Sequence, residues 1–131
     1  KVLFQLARET GCNKIALGHH KDDIVETILM NLLFNGEISA MVPHQKMFRG
    51  KLAIIRPLAY VEEDEVCSYA ASCGLPQLDG KCPNASVSQR AFAKEWIRQA
   101  RQVAPGVKTN ILRSLQRIKA DYLLSDETTP Q

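Results

Sequence analysis

Apolar positions along the chain change period several times, and each change marks an element. In residues 2–9, Leu3, Leu6 and Ala7 share one helical face, and Gly11 supplies a stop. Residues 14–18 (KIALG) form a short apolar run, the mark of a buried strand. Residues 22–34 predict a helix with two acids in its first turn and Asn35-Gly36 at its end. Its apolar residues, from Ile24 to Phe34, cover most of the circumference, so this helix calls for burial on more than one side. Residues 37–50 read as a loop, and Leu52 to Ile55 as a second short strand that stops before Pro57. A third helix is predicted over 63–73, with Val66, Tyr69, Ala70 and Cys73 on one face and Gly74 as its cap. A loop over 75–85 follows, and then two amphipathic helices over 87–103 and 109–123 before a frayed tail.

Strands alternating with helices imply a parallel α/β sheet. Two strands are few for such a sheet, which normally lies buried among several neighbours. The pattern therefore predicts part of a larger α/β unit, with residues 1–74 in the sheet domain and 75–131 as a loop and helical extension.

Composition adds less. The 131 residues are 45% hydrophobic and 24% charged, with no apolar run near the roughly 20 residues of a membrane helix. Four cysteines (Cys12, Cys67, Cys73, Cys82) match no zinc-ribbon spacing, and reduced thiols in a cytoplasmic protein are expected over two disulfides. Cys67 and Cys73 fall at helix positions that suggest the core. The net charge of +3 is unevenly placed: residues 86–119 hold Arg90, Lys94, Arg98, Arg101, Lys108, Arg113, Arg117 and Lys119 against Glu95 alone. Arg90, Lys94, Arg98 and Arg101 share one face of a predicted helix, with Phe92, Trp96, Ala100 and Val103 opposite, Trp96 expected in the core. A one-signed stripe of this kind suits a polyanion such as RNA, although a plain solvated face is the alternative.

Chemistry concentrates at Gly18-His19-His20-Lys21-Asp22-Asp23, with Glu26-Thr27 one turn on. The segment lies at a strand-to-helix junction, where ligands bind in open α/β sheets. Gly18 lets a ligand approach the backbone, and the helix start offers free N–H groups and a positive dipole end. Asp22 and Asp23 serve equally well as plain helix-start acids, and a metal site from His19, His20 and Asp23 is a weaker third option.

IALGHHKDDIVETILMNLLFNG resembles the second hallmark of the PP-loop ATPases that act on tRNA, the cytidine-thiolating enzymes and the lysidine synthetases. IIRPLAYVEEDEV resembles the strand and loop that follow in the thiolating branch. The likeness runs from about residue 1 to residue 124 and is sharpest over 18–23 and 56–58. It implies a Rossmann-like adenine-nucleotide α-hydrolase fold and an enzyme that uses ATP, with Mg2+, to adenylate the C2 oxygen of an anticodon-loop cytidine. Sulfur from a donor system then displaces AMP. It places Gly18, His19, His20, Asp22 and Asp23 in the nucleotide pocket, with His20 or Asp23 acting in the chemistry.

The family's first hallmark, SGGKDS, does not occur in these residues, so the chain is expected to be a part that does not turn over ATP alone. The thiolating branch also resembles itself in three cysteines that hold a 4Fe–4S cluster. Cys82, eight residues before Arg90 in CPNASVSQR, fits the third; the other two would lie upstream. Arg90, Lys94, Arg98 and Arg101 would face tRNA. Lost sheet partners predict self-association, as a homodimer or larger. A lysidine synthetase, which attacks with lysine and has no use for Cys82, is the nearest rival, and a non-catalytic RNA-binding scaffold the more distant one.

Overall fold

The computed structural model describes residues 2–76 and 89–124. Helix α1 (Val2–Glu9) leads into β1 (Lys14–Ala16), α2 (Lys21–Met30), β2 (His44–Met47), β3 (Leu52–Ile55), α3 (Glu63–Ser72), α4 (Gln89–Val103) and α5 (Val107–Ser114). The sheet has the order β1-β3-β2. β1 runs parallel to β3, pairing Lys14 with Ala53 and Ala16 with Ile55, and β2 runs antiparallel to β3, pairing His44 with Ile55 and Met47 with Leu52. The fold is thus α/β with a parallel pair, as the alternation of strands and helices predicts.

β2 corrects the loop expected over 37–50. Its sequence, HQKM, has neither an apolar run nor a two-residue alternation, and three of its four residues are exposed. It forms because the free edge of β3 needs backbone partners, and its polar, Lys46-bearing sequence suits an exposed edge. The reversal into β3 is tight. Phe48 and Arg49 take φ of 49° and 58°, and Gly50 follows at 87°. Left-handed backbone at the two bulky residues is costly; the Phe48 ring packs edge-on against Phe4 at 5.6 Å.

Helix α2 is the centre of the molecule. Val25, with no exposed surface, and Leu29 pack against Ala93 and Ile97 of α4. Ile24 and Ile28 pack against Ala59, with Ile111, Leu112 and Leu115 of the α5 region around them. Burial on two sides is what its wide apolar surface calls for. The helix does not continue regularly to Phe34. After Met30 it widens into a π turn over Asn31–Asn35, closed by Gly36 at φ 65°, and Leu32, Leu33 and Phe34 are exposed there.

Three further expectations are corrected by packing. On α4 the core face is Ala93 and Ile97; Trp96 is 43% exposed and Phe92 and Val103 more so, because the small Ala93 lets the α4 backbone approach α2. Cys67 and Cys73 are exposed, because α3 buries no residue and is held mainly at its amino end. The helix expected over 109–123 starts earlier and ends at Ser114. Beyond Leu115 the apolar Ile118, Leu123 and Leu124 meet no core, and a short helix without tertiary burial is not sustained. Only a 3₁₀ turn over Ala120–Tyr122 follows.

Candidate functional site

The parallel strands β1 and β3 end side by side, and the Leu17 N–H still donates to the Ile55 carbonyl at 2.9 Å. The chain leaves β1 through Gly18 and His19 into α2, and leaves β3 through Arg56 and Pro57 towards α3. Gly18, His19, His20, Asp22 and Asp23 are therefore gathered with Arg56 at the carboxyl ends of a parallel pair, the ligand-binding edge of open α/β sheets. A Cβ built on Gly18 would meet no atom within 4 Å, so the space over this backbone is open to a ligand.

His20 caps α2. Its Nδ1 accepts from the Asp23 N–H at 3.4 Å, its own N–H donates to Asp23 Oδ2 at 3.0 Å, and its Nε2 lies 3.4 Å from the same oxygen. This is a capping box with histidine and aspartate in place of the usual serine and glutamate. Among the described residues no three His, Cys, Asp or Glu side chains are grouped to hold a metal ion, so the His19, His20, Asp23 alternative is not realised.

The two aspartates, adjacent in sequence, serve different partners. Asp23 Oδ1 accepts from Arg90 at 3.2 Å. Asp22 turns inward: it pairs with the buried Lys108 of α5 and accepts from the Glu63 N–H at 2.9 Å. Burial pushes the Asp22 carboxyl up, but the hydrogen bonds from Lys108 and the Glu63 backbone, with the Lys108 charge, bring it below its ordinary value. Lys108 also lies 3.3 Å from Glu62, and Lys21 bonds the other Glu62 oxygen at 2.9 Å. The Lys21 bond is the main cause that holds the Glu62 carboxyl below its usual range. One chain of charges thus ties the start of α2 to the starts of α3 and α5.

The basic helix α4 divides into paired and unpaired cations. Arg90 bonds Glu26 Oε2 at 2.8 Å as well as Asp23. Glu26 is buried; burial raises its carboxyl pKa, and Arg90 offsets only part of that. Lys94 bonds Glu63 at 2.8 Å, which holds its ammonium above the usual value. Arg98 grips Glu95 through two hydrogen bonds of 2.7 Å, and with Gln99 it lowers that exposed carboxyl to about 2. Of the four arginine and lysine residues expected to face RNA, Arg101 alone makes no ion pair with the described residues, and it borders a small cavity of about 190 Å³ with Lys94, Lys108, Asp22 and Glu26. A larger hollow of about 510 Å³ lies between α1 and β3 around Phe4 and Phe48, and holds none of the expected site residues. Cys82 lies outside the described residues.

Arg56, Glu26, Lys21 and Lys108 belong to this site, although the sequence assigns none of them a role in it. Arg56 is 7% exposed; its Nε donates to His19 Nδ1 at 3.3 Å and its Nη1 to the Val42 carbonyl at 2.6 Å. Its signal was present in the Arg56-Pro57-Leu58 match. Glu26 sat in the same hallmark as the aspartates. Lys21 lies inside the same hallmark, whereas nothing sets Lys108 apart from a surface lysine of the basic stretch 86–119.

Parallel strands that open on a capped helix, with acids and histidines gathered at the turn, define an α/β protein with a candidate ligand site at the carboxyl ends of its parallel pair. A PP-loop domain profile matches residues 1–105. The tRNA-cytidine(32) 2-sulfurtransferases of Geobacter metallireducens and Geobacter sulfurreducens are each 41% identical over 128 residues, covering 96% of this chain and 50% of the relative. The U34-tRNA thiolase NcsA from Methanococcus maripaludis, solved with its 4Fe–4S cluster, superposes with a TM-score of 0.69 at 25% identity, over 90% of this chain and 41% of that one. The chain belongs to the PP-loop family, and it spans about half the length of the curated relatives it matches.

Proposed function

We propose that this chain is part of an ATP-dependent tRNA thiolase that adenylates a cytidine of the anticodon loop and replaces its 2-oxygen with sulfur. The observation that carries this reading is the gathering of Gly18, His19, His20 and Asp23 at the carboxyl ends of β1 and β3, in a chain 41% identical to tRNA-cytidine(32) 2-sulfurtransferases. The cytidine C2 oxygen attacks the α-phosphorus of ATP and pyrophosphate leaves. A sulfur nucleophile then adds at C2, and AMP departs with the original oxygen. Activation is needed because an amide-like oxygen leaves poorly until it is joined to phosphate.

In this reading Gly18 gives the nucleotide room against the backbone, and His19 and His20 flank it. Asp23 is the part-exposed acid of the pair, oriented by Arg90, while Asp22 and Lys108 hold the helix start in place. A magnesium ion accompanying the triphosphate is a substrate partner here. Residues 1–74 form the sheet half of the nucleotide domain, and 75–131 the cysteine loop and basic extension. Arg101, Arg113 and Arg117, free of ion pairs with the described residues, meet tRNA phosphates more readily than Arg90, Lys94 and Arg98.

A 4Fe–4S cluster, when bound, would carry the sulfur to be transferred. Cys12, Cys67 and Cys73 are exposed thiols that do not form a ligand set among themselves; Cys82, which the resemblance to the thiolating enzymes marks as their third cysteine, is the ligand in this reading, together with residues outside this chain. The sulfur donor is a separate cytoplasmic system. Exposed Leu3, Leu6, Leu32 and Leu33 favour self-association into a homodimer.

The test is nucleoside mass spectrometry of tRNA incubated with the full gene product, ATP and a sulfide source. Appearance of 2-thiocytidine supports the reading. Lysidine in its place, or unmodified tRNA from a protein carrying iron and binding ATP, refutes it.

A further inference from the structure

Arg56 is buried, yet the two acceptors that hold its guanidinium are both neutral: an imidazole nitrogen and a backbone carbonyl. Burying a guanidinium is costly, and here its geometry is used to fix a neighbour. The Val42 carbonyl, 2.6 Å from Nη1, sets the plane of the guanidinium. The backbone Arg56 N–H donates to the Pro43 carbonyl at 2.8 Å, so the segment entering β2 anchors Arg56 at two points. Nε then meets His19 Nδ1 at 3.3 Å.

An arginine side chain carries donors and no acceptor. The His19 nitrogen that faces it must therefore offer a lone pair, and the ring proton sits on Nε2. Among the described residues Nε2 has no partner, and the ring is half-buried at the strand ends. His20 differs: both of its ring nitrogens are engaged by Asp23 in the helix cap. Of the two adjacent histidines, one completes a cap and the other has an N–H without a partner among the described residues.

We propose that Arg56 is a positioning residue, which locks His19 as its Nε2-protonated tautomer so that His19 offers a hydrogen-bond donor to an electronegative oxygen bound at the carboxyl ends of β1 and β3. The ligand class follows from the donor: a phosphoryl or carbonyl oxygen, which under the proposed function is one carried by the nucleotide or the activated cytidine. That assignment rests on the proposed function; the tautomer does not. It also gives β2 a purpose, because the segment entering that polar edge strand supplies the carbonyls that hold Arg56.

Long-range 1H–15N correlation spectra of the histidine rings in this chain at neutral pH test the tautomer directly. We expect His19 to show two widely separated ring-nitrogen shifts with the proton on Nε2. In Arg56→Met the two shifts should move towards each other as both tautomers become populated. A wild-type His19 with its proton on Nδ1, or with averaged nitrogens, overturns the proposal, and so does a folded Arg56→Met protein that keeps the wild-type separation. If Arg56→Met does not fold, the wild-type spectrum still decides. In the full gene product, Arg56→Met and Arg56→Lys should lower kcat for tRNA-dependent pyrophosphate release by roughly 10–100-fold, as expected when a positioned donor is displaced, with KM for tRNA unchanged. An unchanged kcat in both variants overturns the role of Arg56 in positioning. A wild-type gene product that releases no pyrophosphate, with the wild-type tautomer as expected, overturns the proposed function and leaves the Arg56–His19 pairing standing.

Discussion

The Arg90 guanidinium lies 2.8 Å from Glu26 and 3.2 Å from Asp23, bridging two carboxylates one turn apart on α2. One of them, Glu26, is buried, and the other, Asp23, is part-exposed in the first turn of the helix at the candidate site. Arg90 thus ties the first turn of α4 to the helix that carries the hallmark acids. Removing it leaves Glu26 buried without its cation. We expect Arg90→Ala to lose about 1–3 kcal/mol of stability, the usual cost of stranding a buried acceptor. Urea unfolding measures it, and the double variant Arg90→Ala/Glu26→Gln should recover part of the loss. Equal stability of Arg90→Ala and wild type would contradict the bridge.

The Asp22–Lys108 pair should make the fold acid-sensitive. Its partners hold the Asp22 carboxyl below 3.8 in the folded state, so the unfolded chain takes up that proton first as pH falls. The stabilisation is fully present above 3.8 and is lost as pH drops through the folded value. Glu26 has the opposite sign. Its raised pKa means that ionised Glu26 is a cost at neutral pH, relieved as pH falls towards 4.5. We expect Asp22→Asn to be destabilised by about 1–3 kcal/mol at neutral pH, less than for a fully stranded buried charge because Lys108 keeps Glu62, with the gap from wild type closing in acid. A gap independent of pH would count against the pair.

Much of the fold was legible because its signals are local. The apolar run 14–18, the acids before Ile24 and the glycines at 36 and 74 mark ends that the structure keeps. β2 was not legible, because an edge strand such as HQKM is defined by the backbone it pairs with and not by its side chains. Trp96 and Cys73 were misplaced for a related reason: periodicity identifies an apolar face, but only the partner helix decides which stripe of it is covered. At the site, the hallmark residues were readable as a cluster. The long-range pairs, Asp22 with Lys108 and His19 with Arg56, are separated by too many residues to be read from spacing.

Capping and chemistry can be separated at His20. Asparagine also caps helices well, whereas alanine does not, and loss of a cap typically costs about 1 kcal/mol. We expect His20→Asn to melt close to wild type and His20→Ala to melt at a lower temperature, with a stability loss of about 1 kcal/mol. If both fall equally in thermal denaturation, the cap is not what His20 contributes to stability.

The paired and unpaired cations should behave differently towards RNA. Each phosphate contact removed should lower the salt dependence of log K against log salt by about 0.7–0.9. We expect Arg101→Ala and Arg113→Ala to show that change in tRNA binding over a salt series, and Arg98→Ala, already satisfied by Glu95, to show little. A larger effect at Arg98 than at Arg101 would reverse the assignment of the tRNA-facing side.

The most direct measurement is tRNA-dependent release of pyrophosphate from ATP by the full gene product, compared between wild type and Asp23→Asn. Asparagine keeps a side-chain oxygen to accept the His20 N–H but removes the charge that faces Arg90. The account predicts pyrophosphate release by wild type only when tRNA is present, and a fall of at least about 100-fold in Asp23→Asn with folding retained, the scale of a lost acid–base or positioning group. Pyrophosphate release by wild type without tRNA, or a folded Asp23→Asn protein with wild-type turnover, would contradict it.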